Sequence, residues 1–88
     1  MHISPPPGEA IQLLREAILS RLPEADVHVD GSGGHFQIRV VSSEFEGKKT
    51  LARQRMVYSA IAHLMSGDNP PVHAIDSLET SPEKGPAS

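Results

Sequence analysis

A glycine-rich turn between two alternating segments is the feature that most restricts the fold of this chain. The turn is Asp30-Gly31-Ser32-Gly33-Gly34, where glycines supply positive φ angles at no steric cost. Apolar residues occupy every second position in residues 25–30 before it and in residues 35–41 after it. A period of two is typical of strands with one buried face. The pattern therefore predicts a β-hairpin with one apolar face and one polar face.

One helix is predicted on each side of the hairpin. The first runs from Gly8 to Leu22, and Pro23 ends it, since helices usually stop before a proline. The second runs from Lys48 to Ser66, with an apolar stripe at helical spacing that consists of Val57, Ala60, Ile61, Leu64 and Met65. Phe45, in the loop before it, is expected to turn inward. We expect one core that contains Ile11, Leu14, Ile18, Phe36, Ile38, Val57, Ile61 and Leu64.

A third strand is predicted over residues 72–78, although Asp76 and Ser77 weaken its alternation. The order α-β-β-α-β implies an antiparallel hairpin and, across the second helix, a parallel strand pair. The expected fold is α/β (α+β): a mixed three-stranded sheet with both helices on its apolar face. The other face stays solvated or meets a partner. We assign residues 8–80 to this domain, 1–7 to a disordered leader and 81–88 to a disordered tail.

Composition narrows the classes of function. Eighty-eight residues without cysteine make one small domain with no disulfide, no thiol nucleophile and no cysteine-ligated metal site of its own. The chain has no apolar window long enough to span a membrane and no secretory signal, so we expect a cytoplasmic protein. It also lacks enzyme motifs, so we expect no enzymatic activity.

A basic run lies where the second helix begins, and consists of Lys48, Lys49, Arg53 and Arg55. It is either a solvated helix face or a contact surface for an acidic partner, a thiol-tripeptide carboxylate or a nucleic-acid phosphate. Arg53 and Arg55 are two positions apart and do not share a face. The net charge of −3 also argues against a general nucleic-acid binder. We therefore expect nucleic-acid binding, where it occurs, to be weak.

The five histidines are His2, His28, His35, His63 and His73, and no pair has a zinc-ligand spacing. His28 and His35 flank the turn and both point away from the apolar side. They could lie near each other across the ladder, or each could be an ordinary solvated strand residue. His63 is expected to be an ordinary exposed residue. His73 stands apart, because Pro70-Pro71-Val72 delivers it rigidly to the start of the third strand.

Four short motifs together resemble the BolA family over residues 9–80. They are Gly34-His35-Phe36, Phe45-x-Gly47, Arg53-x-Arg55-x-Val57-Tyr58 and His73-Ala74-Ile75. The short loop between the first two strands is most similar to the compact-loop bacterial branch, usually called IbaG or YrbA. The sequence departs from the family at Gln54, where many members have histidine, and in its tail, which has no aromatic residue.

The resemblance implies a module of KH-like shape that binds a monothiol glutaredoxin around a shared [2Fe–2S] cluster with glutathione. His73 matches the family's C-terminal histidine ligand. The family places a second ligand in the loop between the first two strands, and this loop has only glycine and serine, so His28 or His35 would be the substitute. The resemblance also implies that the isolated chain holds no cluster tightly.

For the partner contact, the resemblance points to the basic run and Tyr58, with the chain a monomer or weak homodimer. Imidazole suits iron, and histidine replaces cysteine in some [2Fe–2S] centres. The expected function is an accessory role in iron–sulfur cluster assembly or trafficking. The alternative is a DNA-binding transcriptional regulator, a role also attributed to family members.

Overall fold

The computed structural model describes residues 7–83. Its elements follow the predicted order and are α1 Pro7–Arg21, β1 Asp26–Ser32, β2 His35–Val41, α2 Thr50–Ile61 and β3 Ala74–Ser81. The strands lie in the order β1-β2-β3; β1 and β2 are antiparallel, and β2 and β3 are parallel. The predicted mixed sheet is therefore confirmed. Residues 1–6 of the predicted leader and 84–88 of the predicted tail lie outside the described residues.

One core joins both helices to a single face of the sheet. Its buried apolar residues come from α1, β1, β2, α2 and the adjoining loops, whereas Ile75 and Leu78 of β3 are partly buried and pack against it. The most fully enclosed side chains include Leu14, Ile18, Phe36, Phe45, Val57 and Ile61. The predicted core is confirmed, except that Ile11 is half-buried and packs against its border. Phe45 turns inward as expected. None of the helices within residues 7–83 has the length and apolar character that crossing a bilayer requires.

The second helix is shorter than the predicted span from Lys48 to Ser66. It begins at Thr50, because Lys49 has an extended ψ of 158° and Gly47 before it has a φ of +75°. It gives way after Ile61 to a 3₁₀ turn, Ala62–Leu64. Residues three apart share a face in a 3₁₀ turn, so the tighter winding turns Leu64 into the core with Ile61. Lys48 and Lys49 therefore precede the helix rather than lie on it.

The third strand begins and ends later than predicted. It starts at Ala74, because the amides of His73 and Ala74 both donate to the Gly34 carbonyl and the ladder begins only there. The register shifts after the pair Phe36–Ile75, so that Gln37 pairs with Ser77 and Asp76 is the extra residue of a bulge. This bulge explains the weak alternation in the sequence. The strand continues to Ser81, so the predicted tail begins one residue too early.

Strand β1 forms one edge of the sheet, and Arg15 of α1 protects it. Ser32 and His35 flank a two-residue turn and form a hydrogen-bonded pair. Hydrogen-bonded and non-hydrogen-bonded pairs alternate along an antiparallel ladder, so the pair of Val27 with Val40 is a non-hydrogen-bonded one. The Val27 carbonyl therefore faces the open edge, where the Arg15 guanidinium donates a hydrogen bond to it.

A carboxylate also ties the end of α1 to the loop after β2. Glu24 accepts hydrogen bonds from the Ser42 hydroxyl (2.8 Å), the Ser43 amide (2.8 Å) and the Ser43 hydroxyl (2.9 Å). Ser42 is buried, and its hydroxyl oxygen also accepts from the Glu44 amide. The Ser42 hydrogen bond is the main cause that lowers the pKa of Glu24; desolvation is the next largest effect and opposes it, and the bonds from Ser43 add to the lowering.

Replacing Ile61 with alanine tests the packing of α2. Its side chain is fully buried, so Ile61→Ala should lower the free energy of unfolding by about 2–4 kcal/mol. Leu51→Ala on the same helix is the matched control, since Leu51 is 58% exposed and should cost less than about 0.5 kcal/mol. Urea denaturation measures both. Equal losses would mean that the buried face of α2 is assigned wrongly.

The Glu24 cluster predicts a pH dependence of stability. A folded-state pKa below the ordinary value of 4.5 gives stability that is present above that value and is lost as the pH falls through the folded-state pKa. Glu24→Gln should therefore flatten the loss of unfolding free energy between about pH 5 and pH 3. Glu46→Gln is the control, because Glu46 lies in the loop that carries Ser42 and Ser43 but outside the cluster. An identical acid profile for wild type and Glu24→Gln would contradict the proposed cause.

Candidate functional site

The hairpin turn has only two residues, Gly33 and Gly34, between the paired Ser32 and His35. Their φ angles are +64° and +83°, as in a type I′ turn, whose twist matches that of the strands. Glycine adopts these angles without strain. A loop of this length and composition carries no side chain with a metal-binding nitrogen, sulfur or carboxylate.

His73 lies where β3 meets this turn. Its amide donates to the Gly34 carbonyl at 2.8 Å, and the Ala74 amide donates to the same oxygen at 3.0 Å. On its other side Val72 is fully buried, and the Val72 amide donates to the Leu64 carbonyl at 3.2 Å. The backbone at His73 is therefore held from both directions. Its side chain is exposed and its ring lies against Gly34.

The two hairpin histidines do not lie opposite each other, so the structure agrees with the alternative in which each is a separate, solvated strand residue. The tight turn places Ser32 opposite His35, whereas His28 lies opposite Arg39 farther along the ladder. His35 Nδ1 is 3.2 Å from Asp76 Oδ1. His28 Nε2 is 3.4 Å from Asp26 Oδ1 on its own strand. Both histidines are exposed on the polar face of the sheet, as the alternation predicted.

Of the two hairpin histidines, His35 lies nearer to His73 than His28 does, because His35 pairs with Ala74, the residue after His73. Within residues 7–83, however, no three histidine or carboxylate side chains are grouped so that they could hold a metal ion. The site therefore offers one exposed imidazole on a fixed backbone, with a second imidazole on the neighbouring strand.

A shallow cleft of about 390 Å³ crosses the polar face of the sheet, away from His73. Residues of all three strands line it, among them His28, Asp30, Gln37, Arg39 and Glu79. Arg39 Nε and Glu79 Oε1 are 4.0 Å apart and both side chains are largely exposed. An ion pair this loose and exposed adds little to stability.

The outer face of α2 carries an exposed stripe of Leu51, Arg55 and Tyr58. These residues are four and then three positions apart, which places them on one side of the helix. Leu51 and Tyr58 are the two large apolar side chains that stay exposed among residues 7–83, at 58% and 40%. Arg55 between them is exposed as well. Sequence reasoning missed Leu51, although its position opposite the Val57–Ile61 stripe could have shown that it faces outward.

The remaining basic residues surround this stripe unevenly. Lys48 and Lys49 are exposed just before the helix. Arg53 is half-buried, and its Nε atom is fully buried without a hydrogen-bond partner among the described residues. Arg53 and Arg55 therefore occupy different faces, as predicted. No acidic residue lies between Glu46 and Asp68, so this stretch of the sequence is basic in an acidic chain.

Comparison with known proteins supports a single family. The family description "BolA-like protein" matches residues 11–84. A protein from the rpoN-murA intergenic region of Acinetobacter guillouiae is 38% identical over 63 residues, which cover 70% of this chain and 72% of that protein. BolA-like protein 1 of Pongo abelii is 39% identical over 66 residues, but these cover 73% of this chain and only 46% of that longer protein.

The acid stress protein IbaG of Escherichia coli is 26% identical over 69 residues, which cover 78% of this chain and 80% of that protein. Among solved structures, a BolA homologue from Coxiella burnetii superposes with a TM-score of 0.62 at 32% identity, and covers 78% of this chain and 86% of its own. The family match, the sequence identity and the fold agree: this chain belongs to the BolA family.

Proposed function

We propose that this protein is a cytoplasmic, non-enzymatic accessory protein that binds a monothiol glutaredoxin and contributes His73 to a shared [2Fe–2S] cluster. The observation that carries the proposal is the environment of His73: a backbone fixed on both sides and an exposed imidazole. A ligand that is ordered before its partner arrives loses less entropy on binding.

The donor set fits one part of such a site and not the whole of it. A [2Fe–2S] cluster takes four protein or thiol ligands, and histidine can stand in for cysteine. This chain has no cysteine and no cluster of three donors among the described residues. His73 is therefore one donor, and the thiolates come from the glutaredoxin cysteine and from glutathione. The cluster is cargo that the two proteins hold between them and pass on.

His35 is the better candidate for an additional donor from this chain. It pairs with Ala74, the residue after His73, whereas His28 is farther from the turn. The His35 Nδ1 atom contacts Asp76, and a carboxylate at one ring nitrogen is a common way to orient an imidazole whose other nitrogen binds a metal. We assign no ligand role to His28.

The exposed stripe of α2, with Lys48 and Lys49 before it, is the proposed partner surface. Leu51 and Tyr58 supply apolar contact area, and Arg55 lies between them. Tyrosine and arginine are among the residues that most often anchor interfaces. The absence of carboxylates from residues 47–67 favours an acidic partner surface. Binding of the basic residues to nucleic acid is the weaker proposal, because the cations do not form one stripe.

Replacing His73 with alanine tests the ligand assignment. Because the side chain is exposed, His73→Ala should leave the fold intact but change the visible absorption and circular dichroism of the complex formed with glutaredoxin, glutathione and iron–sulfide. It should also shorten the lifetime of the cluster. His63→Ala is the matched control, since His63 is exposed on the 3₁₀ turn after α2. An unchanged spectrum and lifetime for His73→Ala would disprove the ligand role and leave only a glutaredoxin-binding surface.

Reversing one charge on α2 tests the partner surface. Arg55→Glu should weaken binding to the apo-glutaredoxin by roughly 5–10-fold, with a smaller effect at high salt, because it turns an attraction into a repulsion. Arg21→Glu makes the same change in charge at the exposed end of α1 and should have little effect. Calorimetric titration at two salt concentrations measures both. If Arg21→Glu weakened binding equally, net charge rather than this surface would determine the affinity.

A further inference from the structure

The imidazole of His73 occupies the space that a side chain at Gly34 would need. A Cβ atom placed on Gly34 would lie 2.4 Å from Cδ2, 2.8 Å from Cγ and 3.1 Å from Cβ of His73. Carbon atoms in contact are normally about 3.5–4.0 Å apart. The ring and a Gly34 side chain therefore cannot share this position.

The backbone cannot move apart easily to make room. The Gly34 carbonyl accepts from the amides of both His73 and Ala74, at 2.8 Å and 3.0 Å. These two bonds hold the turn of the hairpin against the start of β3. A larger residue at position 34 would have to turn the imidazole away or break the bonds that hold the two segments together.

The neighbouring glycine separates two reasons for having glycine here. Gly33 and Gly34 both have positive φ, at +64° and +83°. A Cβ atom on Gly33 would meet nothing within 4 Å, whereas one on Gly34 would meet the ring. The turn conformation explains glycine at both positions, but only the contact with His73 gives position 34 a second requirement.

We propose that Gly34 is a positioning residue for His73: its missing side chain forms a seat for the imidazole and fixes the direction in which the ring is presented. This inference rests on the proposed function, because the proposed ligand role of His73 is the reason why the orientation of its ring before the partner binds would matter. Loss of the seat would leave the His73 backbone near its place and its ring in a different orientation.

A double-mutant cycle on the free chain tests the seat without any partner or metal. Gly34→Ala should lower the urea midpoint of unfolding more than Gly33→Ala does. In the His73→Ala background the ring is gone, so Gly34→Ala should cost clearly less than in the wild type, while the cost of Gly33→Ala should stay the same. The double variant Gly34→Ala/His73→Ala should therefore fold even if Gly34→Ala alone does not. An equal cost of Gly34→Ala in both backgrounds, or failure of the double variant to fold, would overturn the inference.

The orientation of the ring has its own readouts. In the wild type we expect a nuclear Overhauser effect between a Gly34 α proton and the His73 Hδ2 proton, which Gly33→Ala should keep. Wherever Gly34→Ala folds, this effect should be lost, and the rate at which diethyl pyrocarbonate modifies His73 should change relative to the rate for His63 in the same molecule. An unchanged effect and rate in Gly34→Ala would count against the seat.

The complex then separates this inference from the proposed function. With glutaredoxin, glutathione and iron–sulfide, Gly34→Ala should change the visible circular dichroism of the cluster, and Gly33→Ala should not. If Gly34→Ala moves the ring in the free chain but the cluster spectrum stays that of the wild type, the seat is upheld and the ligand role of His73 fails. If the ring does not move, the seat fails, whatever the result for His73→Ala in the complex.

Discussion

The hydrogen bonds to the Gly34 carbonyl are the interaction on which the geometry of the site depends. The turn residues Gly33 and Gly34 set the register of the hairpin, and the same Gly34 oxygen then receives the start of β3 through the amides of His73 and Ala74. The Gly34 carbonyl thus connects the hairpin of β1 and β2 to the start of the parallel strand β3. Residues 39 positions apart in sequence become neighbours at one point.

The core also stabilises the contact between the Gly34 carbonyl and the start of β3. Val72, immediately before His73, is fully buried, and its amide donates to the Leu64 carbonyl in the 3₁₀ turn after α2. The 3₁₀ turn that brings Leu64 into the core also determines where the chain leaves the helix to reach β3. The exposed imidazole therefore stands on a segment whose backbone is packed and bonded. Ligand residues with ordered supports are better placed than residues on free loops.

Most of the fold could be predicted because its signals are local. The alternation through Val27, Phe36 and Ile38 and the glycine turn all lie within residues 27–38, so the hairpin and its buried face follow from sequence alone. The start of β3 and the end of α2 could not be predicted, since both depend on hydrogen bonds and packing between distant segments. The Glu24 cluster was missed for the same reason, because its serines lie 18 and 19 positions away.

In the candidate site, too, the features that depend on local sequence could be predicted, and those that depend on contacts between distant segments could not. The position of His73 beside the start of a strand came from the two prolines before it, but its contact with Gly34 depends on the parallel pairing of β3. The separation of His28 from His35 follows from the pairing of Ser32 with His35, which only the length of the turn determines. Leu51 could not be predicted as part of a surface, because a single apolar residue among basic ones gives no periodic signal.

The Arg15 hydrogen bond to Val27 has a consequence for how copies of this protein meet one another. An open strand edge with free carbonyls invites a second chain to add a strand, which is a common start of aggregation. Here the guanidinium of α1 already occupies one outward carbonyl of β1, and Asp26 and Asp30 give that strand negative charge. A second copy that approached β1 would have to displace Arg15 and bring like charges together. The helix that fills the core thus also keeps the sheet from growing at this edge.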